Sequence, residues 1–278
     1  MSHPEPFFID GKHGRLFAVL HHPSAGITHR GNVLCIPAFN EEMNRCRSML
    51  TLQALAFAQR GFATLVPDLL GTGESDGEHG DARWNIWLDD IASAWQWLAR
   101  RPGGCSAILA VRLGVPLALQ AMGDGVAAPA LIAWQPVVDG KSYFTQFLRM
   151  RIAANMDRTD IPKDTTTGMR AELAAGVPIE VAGYEVHPEL AAAIEGIRLE
   201  AMLPPANTAV AWFEKAGGSQ EEISPASQKV VEGWRNAGQP VDVNCFSGQA
   251  FWALHDRVTA PDLIQATADW LAQQGGLA

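Results

Sequence analysis

The chain has 278 residues, 47% hydrophobic and 18% charged, with a formal net charge of −9. It is long enough for one large α/β unit carrying an insertion, and too apolar to be disordered. No basic stripe is present, which argues against nucleic acid as a partner, because phosphate contacts need clustered Lys and Arg.

The opening stretch MSHPEPFFIDGKHGR has no apolar core behind basic residues, so it does not read as a signal peptide. No apolar run approaches the ~20 residues that span a bilayer. A cytoplasmic protein without a transmembrane segment is expected. Short apolar runs then alternate with amphipathic stretches. Strands are predicted over residues 16–20, 32–37 (NVLCIP) and 62–67 (FATLVP), with a helix over 45–60 that Gly61 stops as a C-cap. After the turn-rich loop 68–81 come a helix over 84–100, a strand over 106–111, a helix from Leu113 and a strand over 130–134.

Near Asp139 the alternation breaks. Residues 139–205 hold an amphipathic stretch (143–152), a polar link (157–168), a hairpin near 177–186, and a helix opened by His187-Pro188-Glu189, where Pro in a first turn is a good start signal. The alternation then resumes with a strand over 208–213, a helix over 224–237, a strand over 241–246 and a helix over 260–273. Strands separated by helices predict a single α/β domain over 1–278 with a largely parallel sheet covered on both faces. The segment 139–205 is expected to be a lid.

Three local sequences sharpen this. PDLLGTGESDGE (67–78) resembles the Asp-x-x-Gly-x-Gly-x-Ser loop after the fourth strand of α/β hydrolases. LAVRLGVPLALQ (109–120) stands where that fold has its nucleophile elbow, a strand–turn–helix normally written G-x-S-x-G. IPAFNEEMNRCR (36–47) follows the third strand, where the oxyanion-hole loop lies. Together with GQAFW near the C-terminus and AGYEVHPELAAAI in the insertion, these resemble one branch, the second associated hydrolase of the exosortase A system. The resemblance implies an eight-stranded α/β-hydrolase fold and a role in exopolysaccharide and protein-sorting export. A second copy of the chain or components of that system are then the protein partners to consider. Fold alone does not establish chemistry.

The triad slots depart from the family pattern. Ala110 and Gly114 are the small neighbours an elbow needs, but Arg112 occupies the nucleophile position. A guanidinium has no free lone pair at neutral pH and cannot attack an acyl carbon. The acid slot offers Glu214 and Glu221 in place of the usual Asp, and both also read as solvated charges. The histidine slot holds Phe251 and Trp252, with His255 a turn further on, either swung toward the site or merely starting a helix. Cys35 and Cys245 lie on buried strands and read as inert core. Cys46, between Arg45 and Arg47, could have a depressed pKa. Ser75 belongs to a loop that is usually structural. His13, His21, His22 and His29 read as surface residues in N-terminal turns. Neither CxxC nor HExxH occurs, so no metal and no cofactor are expected.

In an open parallel sheet, ligands bind at the carboxyl ends of the strands. Those ends carry Phe39 with Glu41 and Glu42, Arg112, Trp134 with Gln135, Phe213 with Glu214, and Phe251 with Trp252. Aromatic walls around a few polar groups suit a small, anionic ligand, although each aromatic could equally pack beneath the lid. Glu41 or Glu42 could act as a general base with Arg112 holding the substrate, or could pair with Arg112 and do no chemistry. Three functions stay open: an enzyme acting on a carbonyl or acyl group without a triad, a non-catalytic protein binding an anionic sugar, lipid or acyl intermediate, and a scaffold for the export system.

Overall fold

The computed structural model describes residues 4–158, 163–217, 222–254 and 256–274. Its centre is an eight-stranded sheet in the order β1-β2-β4-β3-β5-β6-β9-β10. The strands are β1 (Pro4–Asp10), β2 (Arg15–His21), β3 (Gly31–Ile36), β4 (Phe62–Pro67), β5 (Cys105–Val111), β6 (Ala130–Trp134), β9 (Ala209–Lys215) and β10 (Val241–Phe246). β2 runs antiparallel to both β1 and β4. From β4 to β10 every pairing is parallel.

The central strands β3 and β6 are buried at every position, as parallel strands covered on both faces must be. Their side chains alternate between two cores. Val33, Cys35, Leu109, Val111, Ile132 and Trp134 pack beneath α1 (Glu41–Ala58) and α8 (Pro261–Gln273). Leu34, Ile36, Ile108, Ala110, Leu131 and Ala133 pack on the other side beneath α2 (Trp84–Ala99), α3 (Gly114–Gly123) and α7 (Pro225–Asn236).

Between β6 and β9 the chain makes α4 (Gly140–Ala154), α5 (Thr166–Ala174), the hairpin β7 (Ile179–Val181) and β8 (Tyr184–Val186), and α6 (Pro188–Gly196). Most of these match expectation; β1 and α5 do not. His21 was expected at the surface but is only 5% exposed, because β2 extends to it and turns its ring under the sheet.

The topology fixes where a site can form. From β3 the chain moves to β4 on one side, then crosses back to β5 on the other. Such a reversal opens a crevice at the carboxyl ends of the two strands flanking it. Here those ends are the loop after Ile36 and the turn at Arg112.

Candidate functional site

The turn at Arg112 has the geometry of an elbow. Arg112 adopts a left-handed φ of 56°, a conformation disfavoured for a residue with a Cβ. Neighbours impose it: Arg112 N–H donates to the Trp134 carbonyl at 2.9 Å, and the Arg112 carbonyl accepts from Val115 N–H at 3.1 Å. Gly114 is required by close approach, since a Cβ there would stand 2.6 Å from the Pro37 carbonyl and 2.7 Å from that of Ile36.

The side chain presented by this turn is an ion-paired arginine. Arg112 Nη2 donates to Glu42 Oε1 at 2.8 Å, and Nε donates to the same carboxylate at 3.1 and 3.2 Å. Nη1 donates to the Gln135 carbonyl at 3.2 Å. The Tyr143 hydroxyl, from α4, donates to Glu42 Oε2 at 3.0 Å. The guanidinium carbon lies 5.5 Å from the Tyr143 ring centre and 5.2 Å from that of Trp252, within cation–π range.

Arg112 and Glu42 are 12% and 17% exposed. Burial alone would lower the guanidinium's pKa, but the charge and hydrogen bonds of Glu42 outweigh it and hold it raised. Burial, then Glu42, pushes the Tyr143 phenol up, which keeps it a neutral donor. Helix geometry explains why Glu42 is the partner and Glu41 is not. Successive helical residues point about 100° apart, and Glu41 turns instead toward Arg45, 3.7 Å away.

The other expected residues divide into two groups. Phe39 is 3% exposed and packs on Tyr143, Phe147, Trp87 and His79, so it belongs to the wall beside the cluster. Trp252 touches Arg112, and Phe251 lies edge-on beneath it at 5.0 Å. Trp134, by contrast, is fully buried among the α8-side residues and donates its indole N–H to Thr267 Oγ1 at 3.0 Å. The Gln135 side chain accepts from Lys215 N–H at 2.8 Å, bridging strand ends. Glu214 is 3% exposed and fully engaged, accepting from the Trp212 indole and from Ser224 N–H, each at 2.9 Å. It is therefore not a solvated surface charge. His255 and Glu221 lie outside the described residues.

Cys46 is fully buried, and burial followed by the charge of Glu42 pushes its thiol well up; Arg112 and Arg45 oppose this only in part. The neighbouring arginines therefore do not depress the thiol's pKa, because desolvation exceeds their pull. Ser75 accepts from Phe17 N–H at 2.9 Å and donates to the Asp68 carbonyl at 2.7 Å, a structural role for the loop it sits in. Among the described residues no group of His, Cys, Asp and Glu is arranged to hold a metal ion.

Two participants escaped the sequence reading. Tyr143 is one. His79, on the short helical turn after β4, is the other. Its Nδ1 lies 2.6 Å from the Glu185 carbonyl and its Nε2 lies 2.5 Å from the Asn40 carboxamide. Burial lowers its pKa, with Glu185 opposing, and a neutral ring has one donor and one acceptor. Nδ1 faces that carbonyl and Nε2 faces Asn40 Oδ1, so a neutral ring can donate to one of the two acceptors at a time. The Asn40 amide nitrogen is buried without a partner. In the sequence Tyr143 opens an amphipathic stretch and His79 lies in a turn-rich loop, and neither setting signals a site.

No family model matches the chain, and no curated protein does so. Solved structures do. One is a ferulic acid complex of Est1E from Butyrivibrio proteoclasticus, 17% identical with a TM-score of 0.65 over 96% of this chain and 98% of that one. The α/β hydrolase GrgF from Penicillium sp. sh18 is 16% identical with a TM-score of 0.64, covering 99% of each chain. XC6422 from Xanthomonas campestris, described as an α/β serine hydrolase without a lid, is 15% identical with a TM-score of 0.55 over 98% of this chain and 93% of that one. With the sheet order and the elbow, these likenesses establish that the chain has the α/β-hydrolase fold.

Proposed function

We propose that this chain is a hydrolase-like protein that works without a Ser-His-Asp triad and serves exosortase-linked exopolysaccharide export by binding rather than cleaving its ligand. The observation that carries the reading is the Arg112–Glu42–Tyr143 cluster at the elbow. Glu42 accepts four hydrogen bonds from Arg112 and Tyr143. A carboxylate so engaged has few lone pairs left for a water proton and makes a poor general base. The export role rests on the sequence resemblance alone.

The ligand class that fits is an anionic sugar, lipid or acyl intermediate, because only an oxyanion can take over the two-pronged contact that Glu42 holds on the guanidinium. Residues 139–205 are read as the lid over this site, supported by Tyr143 reaching Glu42 from α4. The reading is tested by incubating the protein with a fluorophosphonate probe and measuring its intact mass. No adduct is expected. Stoichiometric labelling of any serine or cysteine would overturn it.

A further inference from the structure

The α1–α8 layer covers the centre of the sheet better than its antiparallel edge. At that edge a cavity of about 270 Å³ opens between α1 and the strands β2 and β4. It falls just short of the ~300–1,000 Å³ range of small-molecule sites, so it would suit a slender ligand. Its walls are mostly apolar: Phe17 and Val19 from β2, Val66 from β4, Met43 and Leu50 from α1. Polar groups stand at both ends.

At one end is Arg47, with 42% of its side chain exposed, beside the nearly buried Asp68. A single amino group, Nη2, serves both Asp68 oxygens, at 3.0 and 3.1 Å. Among the described residues the remaining N–H groups of Arg47 have no acceptor. At the other end is His21, 5% exposed, whose Nδ1 is buried without a partner. A buried ring nitrogen left unpaired is costly and calls for a ligand or water. Asp68 N–H bonds to the Phe17 carbonyl, so Arg47 lies at the Phe17 end. His21 is four residues further along β2, about 13 Å at ~3.3 Å per residue.

We propose that this cavity is a second ligand site, separate from the elbow, which takes a slender carboxylic acid of medium chain length with a hydroxyl near its far end. The carboxylate meets the free edge of Arg47 at the mouth. The chain lies along Val19, Val66 and Leu50. The terminal hydroxyl reaches His21 Nδ1, and because a hydroxyl both donates and accepts, it suits either ring tautomer.

The test is a calorimetric titration of the full chain with octanoate and 8-hydroxyoctanoate, alongside NMR of histidine-labelled protein. Saturable binding of both is expected, with the hydroxylated acid about tenfold tighter, the worth of one hydrogen bond, and a shift of the His21 ring signals. In His21→Phe the difference between the two acids should vanish while octanoate still binds. Should that variant fail to fold, the His21 ring shift in the natural protein decides alone. Absence of saturable binding, equal affinities for the two acids in the natural protein, or binding that leaves the His21 signals unmoved would overturn the proposal.

Discussion

Arg112 and Glu42 have exchanged most of their water for each other, and the energetics of such a pair are lopsided. The intact pair contributes little, because desolvating two charges cancels most of their attraction, whereas removing one partner strands the other. Arg112→Met is therefore expected to lower the unfolding free energy by about 3–5 kcal/mol, with Glu42 and the Tyr143 hydroxyl left behind. Arg112→Met combined with Glu42→Leu should recover most of that loss. Urea denaturation of the two single variants and the double variant measures the coupling. Additive losses would mean that the contact has no energetic weight. The identity of the residue at the elbow was legible in the sequence, and so was the need for a nearby anion. The choice of Glu42 over Glu41 was not, because it depends on where α1 begins. Asn40, with φ of 51°, sets that phase.

At the scale of elements, the alternation of apolar runs was enough to find the sheet, because buried parallel strands are apolar throughout. β1 was missed since Pro4 and Pro6 lower the strand signal, yet at a sheet edge proline is tolerated. α5 was missed because its first turn fell at the end of the polar link expected over 157–168. Its start is a Thr165 cap, Oγ1 accepting from Gly168 N–H at 2.9 Å, and the glycine read as part of a loop. His79 was overlooked because its partners lie on elements distant in sequence. It fastens the β7–β8 hairpin through the Glu185 carbonyl and packs edge-on against Tyr184 at 5.1 Å, while Asn44 donates to the Tyr184 hydroxyl at 2.8 Å. His79→Ala should speed amide exchange across residues 179–186 by about tenfold, the loss of one buried hydrogen bond, and leave β5 and β6 unchanged. Uniform acceleration would show instead that His79 supports the whole fold.

Over the whole molecule, stability depends on pH through groups whose proton affinity folding changes. Asp90, on α2, is fully buried; its Oδ2 accepts from Leu70 N–H at 2.8 Å and its Oδ1 has no partner. Burial pushes this carboxyl up to about 6, against a partial opposing pull from the Leu70 N–H. The folded state thus holds the proton more tightly than the unfolded chain does. The stability from that proton is present below about pH 4 and is lost as pH rises through about 6, some 2–3 kcal/mol in all. Asp90→Asn cannot ionise, so relative to the natural protein it should gain that amount between pH 4 and pH 7. Urea unfolding at both values checks this, and parallel pH profiles would refute it. The elbow has another kind of consequence at this scale. Its backbone is held by the Trp134 carbonyl, by Val115 and by the bare Gly114, none of which involves the side chain of residue 112. Position 112 is in effect a socket, and its occupant can be exchanged without reshaping the turn.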